Sequence, residues 1–174
     1  VTDTNSLDDL TGGDHRGTGG ASGPGGRWLS LVLFIAFTLG GGTLIGAVTA
    51  PGPWYEALEK PFFNPPNWVF GPVWAVLYVM VAIAGWRTWL RGYRGLPMQL
   101  WFLQLAANFM WSPAFFGMQL PGLALLVIVV MGALTFLFIQ LTWKPDRTSA
   151  LLMLPYMAWV TFAGLINLAI WWMN

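Results

Sequence analysis

The stretch PGLALLVIVVMGALTFLFIQLTW, Pro121–Trp143, is apolar along its length and contains no charged side chain. A helix needs about 20 such residues to cross the hydrocarbon core of a bilayer. Working outward from it, four further stretches have the same character: Trp28–Ala50, Trp68–Leu90, Met98–Met118 and Ala150–Trp172. Three links between them are short (Arg91–Pro97, Gln119–Leu120, Lys144–Ser149) and one, Pro51–Asn67, is long. Short links make consecutive helices antiparallel neighbours. The sequence therefore predicts an all-α membrane protein, a five-transmembrane-helix bundle over residues 27–174.

Composition points the same way. Of 174 residues, 56% are hydrophobic and 9% charged, against about 25% charged in soluble domains. A net charge of +1 supplies no basic stripe for nucleic acid, which is excluded as a partner. The absence of cysteine excludes disulfides, thiolate metal sites and thiol nucleophiles. Residues 1–26, VTDTNSLDDLTGGDHRGTGGASGPGG, are rich in Gly, Ser, Thr and Asp and read as a flexible tail, because so little apolar surface cannot offset ordering entropy.

Basic residues set the orientation. With five spans, the tail and the loops at 91–97 and 144–149 share one side, which carries Arg16, Arg27, Arg87, Arg91, Arg94, Lys144 and Arg147. The other side carries Lys60 alone. The positive-inside rule puts the N-terminus in the cytoplasm and the first loop and C-terminus outside, in a bacterial membrane. Arg87 sits where it can snorkel to the interface.

The second to fifth spans hold no Asp, Glu, Lys or His. Pumps and ion-coupled transporters keep intramembrane ionisable residues as relays, so active pumping is not expected. No nucleotide or hydrolase motif is present, and no catalytic residue or metal site is assigned. The single histidine, His15, lies in the tail, so a haem in the bundle would lack an imidazole ligand.

The spans contain aromatic residues instead: 12 Trp, 12 Phe and 4 Tyr. Trp28, Trp68, Trp86, Trp89, Trp143, Trp171 and Trp172 fall at span ends and read as interfacial belts. Trp74, Trp111 and Trp159 lie deeper. Trp74 and Tyr78 are i,i+4, and Val81 and Gly85 continue that face. In the third span Trp101, Gln104, Asn108, Trp111 and Phe115 share a stripe, and in the fifth Tyr156, Trp159, Ala163 and Asn167 share another. Amides in a bilayer must find partners, so these stripes should face the interior. Interhelical glue accounts for them as well as a pocket does; flat aromatics beside amides favour a pocket for a large planar ligand. Gly40, Gly41, Gly42, Gly46 and Ala47 in the first span allow close helix packing. The first loop, with Trp54, Tyr55, Pro61, Pro65 and Pro66 around a short amphipathic stretch, is stiff and aromatic and reads as a lid.

Three strings carry a family resemblance: WYEALEKPFFNPPNWVFGPVWAVLY (Trp54–Tyr78), QLAANFMWSPAFFG (Gln104–Gly117) and PYMAWVTFAGLIN (Pro155–Asn167). In this order, in a five-span chain, they resemble the TspO/MBR family of translocator and tryptophan-rich sensory proteins, also called peripheral benzodiazepine receptors. The resemblance implies a bundle that binds porphyrin, haem or related hydrophobic ligands, with no obligatory cofactor, in a pocket closed by the first loop. It places pocket positions on Trp74 (within W-x₅-W-x₃-Y) and Trp159 (within PYxxW), and on Tyr78, Asn108, Ala163, Gly46 and Ala47; the deep stripe adds Trp111. It also implies homodimers, and for bacterial members a link to tetrapyrrole and photosynthesis-gene regulation. A non-enzymatic tetrapyrrole sensor or carrier is the leading expectation. The alternatives are an accessory subunit of a larger membrane complex and a light-dependent porphyrin-degrading enzyme. The cholesterol pattern of animal members is missing, because LINLAIWWMN at residues 165–174 has neither Tyr nor a basic residue.

Overall fold

The computed structural model of the chain describes residues 24–92 and 94–174. Among the described residues all regular structure is helical: α1 (Pro24–Val48), α2 (Pro53–Ala57), α3 (Asn67–Gly92), α4 (Leu96–Ser112), a π-helical turn (Pro113–Gly117), α5 (Pro121–Thr142) and α6 (Arg147–Met173). The expected tail lies outside the described residues up to position 23. Residues 24–26, assigned to it from sequence, are the first turn of α1.

Among the described residues four helices are long and apolar enough to cross a membrane: Gly25–Val48, Asn67–Gly92, Pro121–Thr142 and Arg147–Met173. The third expected span, 98–118, is different. Its α-helix ends at Ser112 after 17 residues and passes into the five-residue π-helical turn. Pro113 explains the change, since it has no N–H to continue the α-helical ladder. The wider bond from Met118 N to Pro113 O at 2.8 Å, with Leu120 N to Ala114 O at 3.1 Å, closes the turn instead. Gln119 then reverses the chain in the left-handed region, φ 58°, which accounts for a link of so few residues into α5.

The helices close into a ring. α1 packs on α3, α3 on α6, α6 on α5 and α5 on α4, and α4 returns to α1. The core between them holds Leu77, Val81, Trp101, Leu105, Met131, Phe138, Met153, Tyr156 and Val160. Outward-facing residues of α5 such as Leu126, Val129, Val130 and Phe136 are exposed, which suits contact with lipid rather than water. Close approach depends on missing side chains: a Cβ at Gly85 would lie 2.2 Å from Cε2 of Trp101, whose Nε1 donates to Val81 O at 2.9 Å.

Side-chain bonds identify the two ends of the bundle. At one end Trp86 Nε1 donates to Ser30 Oγ at 3.0 Å, joining the end of α3 to the start of α1. At the same end Asp146 accepts from Arg87 Nη2 at 2.8 Å and Arg91 Nε at 3.1 Å, and caps α6 through Ser149. Arg87 is thus held by an ion pair beyond the snorkelling its position suggested. At the other end the carboxamide of Asn174 accepts from Glu59 N at 3.0 Å and donates to Glu59 O at 3.1 Å. The first loop is tied to the end of α6.

Burial pushes the Asp146 carboxyl up, but the hydrogen bonds from Arg87 and Ser149 outweigh it, so its pKa lies below the usual carboxylate value. A depressed carboxylate stabilises the fold above its unfolded pKa and loses that contribution as pH falls through the folded one. Asp146→Ala removes a helix cap and two partly exposed ion pairs. A loss of about 2 kcal/mol at neutral pH is expected, of which the cap accounts for roughly half. Thermal unfolding in detergent checks this, and the gap from wild type should shrink as the buffer is acidified.

Candidate functional site

Beneath the first loop the bundle forms a partly open cavity of about 550 Å³. Its walls come from α1, α3, α4, the π-helical turn and α6, and its roof from the loop. On α3, Trp74 and Tyr78 stack on each other with ring centroids 5.3 Å apart and planes inclined by 29°. On α4 and the π-helical turn Trp111 stacks on Phe115 at 5.4 Å and 25°. Phe115 lies within the π-helical turn, where Phe116 meets it edge-on at 4.9 Å. The turn after Pro113 thus supplies two lining residues, Phe115 and Phe116.

The expected residues fall into two groups. Trp74, Tyr78, Asn108, Trp111, Ala163 and Gly46 all line the cavity. Ala47 and Trp159 do not. Ala47 is exposed on the outer face of α1. Trp159 stands behind the wall, edge-on to the lining residue Phe70 at 5.8 Å, with its indole Nε1 buried and unpartnered. Each polar stripe is likewise divided. Trp101, Gln104 and Tyr156 are core residues, whereas Asn108, Phe115 and Asn167 of the same stripes reach the cavity.

The glycines divide by role too. A Cβ at Gly42 would lie 2.1 Å from the Tyr78 ring, and one at Gly41 2.8 Å from Phe109, so these serve packing. A Cβ at Gly46 meets nothing within 4 Å, so Gly46 leaves space.

The wall amides are engaged. Asn108 accepts from Tyr78 Oη at 2.8 Å and donates to Tyr156 Oη at 3.1 Å. Asn167 accepts from Trp111 Nε1 at 3.0 Å and donates to Pro121 O at 2.8 Å. Both bind helices together and orient the aromatic walls, so glue and pocket are one structure here.

The roof is built on α2. Tyr55 is buried, with Phe116 edge-on at 5.3 Å and Phe115 at 6.2 Å, and Trp54 meets Phe115 at 5.8 Å. Lys60 Nζ lies 4.6 Å over the Tyr55 ring and donates to Glu56 O at 3.2 Å and Leu58 O at 3.1 Å. Tyr55, Glu56 and Asn64 line the cavity; Trp54, Pro61, Pro65 and Pro66 do not, although Pro61 is buried and Trp54 packs on the lining residue Phe115. Phe70, Phe109, Asn64 and Asn67 were missed from sequence, although Phe70 lies four residues before Trp74 on the same helical face.

Because the roof is fixed by stiff backbone and by Asn174, Pro65→Gly with Pro66→Gly, or Asn174→Ala alone, should loosen it. Ligand dissociation is then expected to accelerate several-fold while association changes less, as stopped-flow fluorescence would report. Unchanged off-rates would leave the loop a plain connector.

A bundle of long apolar helices around an aromatic-lined cavity defines an integral membrane protein. Residues 34–173 match the family model described as TspO/MBR family. Protein CrtK of Rhodobacter capsulatus is 36% identical over 155 residues, covering 84% of this chain and 92% of that protein. Tryptophan-rich protein TspO of Archaeoglobus fulgidus is 40% identical over 123 residues, 70% of this chain and 80% of its own length. The translocator protein of Bos taurus is 33% identical over 152 residues, 83% and 89%. The chain belongs to the TspO/MBR family.

Proposed function

We propose that this chain is a tetrapyrrole-binding sensor or carrier that holds a porphyrin or haem between the two stacked aromatic walls and under the first loop. The observation that carries the reading is the pair of stacks, Trp74 on Tyr78 and Trp111 on Phe115, lining one cavity with amides at their edges. Flat, polarisable faces suit a flat ring, and each aromatic contact contributes about 0.5–1.5 kcal/mol beyond area burial. A cavity of about 550 Å³ lies within the usual range for small-molecule sites. No described lining residue is a His, Met or Cys; the lining groups of axial-ligand type are Tyr55 and Tyr78, and Tyr78 Oη is engaged with Asn108, so stacking and shape carry most of the hold on a haem.

In this reading α4 and the π-helical turn together, Leu96–Gly117, make the crossing between α3 and α5, giving five spans. An odd number of crossings agrees with the end-to-end contacts: Arg87, Arg91 and Asp146 meet at one end and Glu59 and Asn174 at the other. The basic end faces the cytoplasm of a bacterial cell, and the roof faces outward. Protease added to sealed right-side-out vesicles should then cut the first loop and spare the loop between α5 and α6.

Binding is tested by titrating protoporphyrin IX into the purified protein in lipid nanodiscs while following the Soret band and tryptophan fluorescence. Saturation at one porphyrin per chain is expected. A signal that rises without saturation, equal to that of empty nanodiscs, would reject the reading.

A further inference from the structure

Charge divides sharply between the two ends of the bundle. Where α3 stops and α6 starts lie Arg27, Arg87, Arg91, Arg94, Lys144 and Arg147, and Asp146 is the one acid among the described residues there. The roof end carries Glu56, Glu59 and Lys60. Trp28, Trp89 and Trp143 are all exposed at the basic end. Exposed tryptophan marks the membrane interface, so these cations stand at the depth of lipid phosphates.

Two of the cations form a fixed pair. Arg87 and Arg91 are four residues apart on α3 and therefore share a face. Both donate to Asp146, whose side chain is 3% exposed against 31% and 54% for theirs. Asp146 is held in turn by Ser149, whose Oγ donates to it at 2.7 Å, and it caps α6. One carboxylate does not satisfy two guanidiniums. Arg87 spends Nη2 on it and Arg91 spends Nε, so among the described residues Arg87 Nη1 and both Nη groups of Arg91 have no protein acceptor. Two cations against one anion leave the cluster positive, with open N–H donors on side chains that remain partly exposed. Arg147, with its Cζ 5.4 Å over the Trp143 ring, adds a further cation next to Asp146 in the chain.

We infer that Arg87 and Arg91, positioned by Asp146, hold the phosphodiester of an anionic phospholipid in the leaflet at this end, such as phosphatidylglycerol. Guanidinium forks match phosphate oxygens, and a pair locked by a buried carboxylate loses little freedom on binding. Phosphatidylcholine carries the same phosphate, but its quaternary ammonium would be brought among like charges. The glycerol headgroup brings none. Each cation near an anionic lipid surface contributes about a factor of five in binding.

The test titrates dioleoyl phosphatidylglycerol or dioleoyl phosphatidylcholine into the full chain in detergent and counts bound lipid by native mass spectrometry. The wild type should bind one phosphatidylglycerol about tenfold tighter than phosphatidylcholine. Arg91→Gln should bring that ratio to within about twofold, and Arg91→Lys, which keeps the charge but not the fork, should fall between. Arg27→Gln makes the same charge change on α1 and should keep the preference. Taking the ratio of two lipids within each protein cancels any general loss of stability. Ammonium phosphate in excess over lipid should leave phosphatidylglycerol bound, because the acyl chains also hold it. Equal binding of the two lipids by the wild type would overturn the inference. So would equal losses in Arg27→Gln and Arg91→Gln, which would reduce the site to diffuse surface charge. Displacement of the lipid by phosphate would overturn the lipid as occupant and assign the pair to a soluble anion.

Discussion

Trp74→Ala is expected to weaken porphyrin binding by about tenfold or more. Trp74 lines the cavity, stacks on Tyr78 at 5.3 Å and meets Tyr156 edge-on at 6.3 Å. Truncation removes both a stacking face and the ligand's apolar contact, and 1.4 kcal/mol is already a factor of ten. Trp74→Phe should lose less, since a flat ring remains. Trp159→Ala should cost less than Trp74→Ala, because Trp159 acts through Phe70 instead of lining the site. Trp172, 85% exposed at the end of α6, is the control whose replacement should leave affinity unchanged. Fluorescence titration of variants shown to be folded measures the series. Equal losses at Trp74 and Trp172 would reduce the aromatic wall to packing.

The second large effect is expected at Gly42, where one methyl group reaches the site and the fold together. Its Cβ would fall 2.1 Å from the Tyr78 ring, so Tyr78 must move. That ring stacks on Trp74, and its hydroxyl donates to Asn108 at 2.8 Å. Overpacking of this kind costs about 1–3 kcal/mol, and the displaced hydroxyl adds a disturbed buried hydrogen bond. Gly42→Ala should therefore lower both the thermal midpoint and porphyrin affinity. Gly46→Ala, one helical turn along α1, should change stability by less than about 1 kcal/mol, the helix-propensity difference alone. Thermal unfolding of the two variants side by side gives the comparison.

Much of this was legible in the chain because a bilayer simplifies the problem. Without water, apolar length alone marks helices, and α1, α3, α5 and α6 begin and end within a few residues of the expected spans. Spacing of three and four residues put Trp101, Gln104, Asn108, Trp111 and Phe115 on an inward face; all are buried except Trp111, which is half-buried on the cavity lining. Spacing says which face turns inward, but not how far along the bundle the core gives way to a cavity. For that reason Trp101 and Asn108 looked alike, although the first packs against Gly85 and the second lines the site.

Three features lay beyond periodicity. The break at Ser112 follows from Pro113, but the five-residue π-helical turn that carries Phe115 and Phe116 into the cavity lining has no periodic signal. Asp146 carries an N-cap signal three residues before Ser149, yet its pairing with Arg87 and Arg91 joins elements far apart in sequence. Gly42 and Gly46 have the same side chain and the same helix. Only the position of the Tyr78 ring separates a packing glycine from one that leaves room for a ligand.

The central claim is that the cavity itself is the tetrapyrrole site, and filling it is the most direct test. Gly46 lines the cavity, and a Cβ there meets nothing within 4 Å, so the side chain of Gly46→Leu starts in open space on the cavity lining. The measurement is a Soret titration of protoporphyrin IX into wild type and Gly46→Leu in matched nanodiscs, with thermal unfolding run in parallel. The account predicts saturable one-to-one binding by the wild type, and its loss in a Gly46→Leu protein that melts within a few degrees of it. Wild-type affinity in a folded Gly46→Leu protein would contradict it and place the porphyrin elsewhere on the bundle.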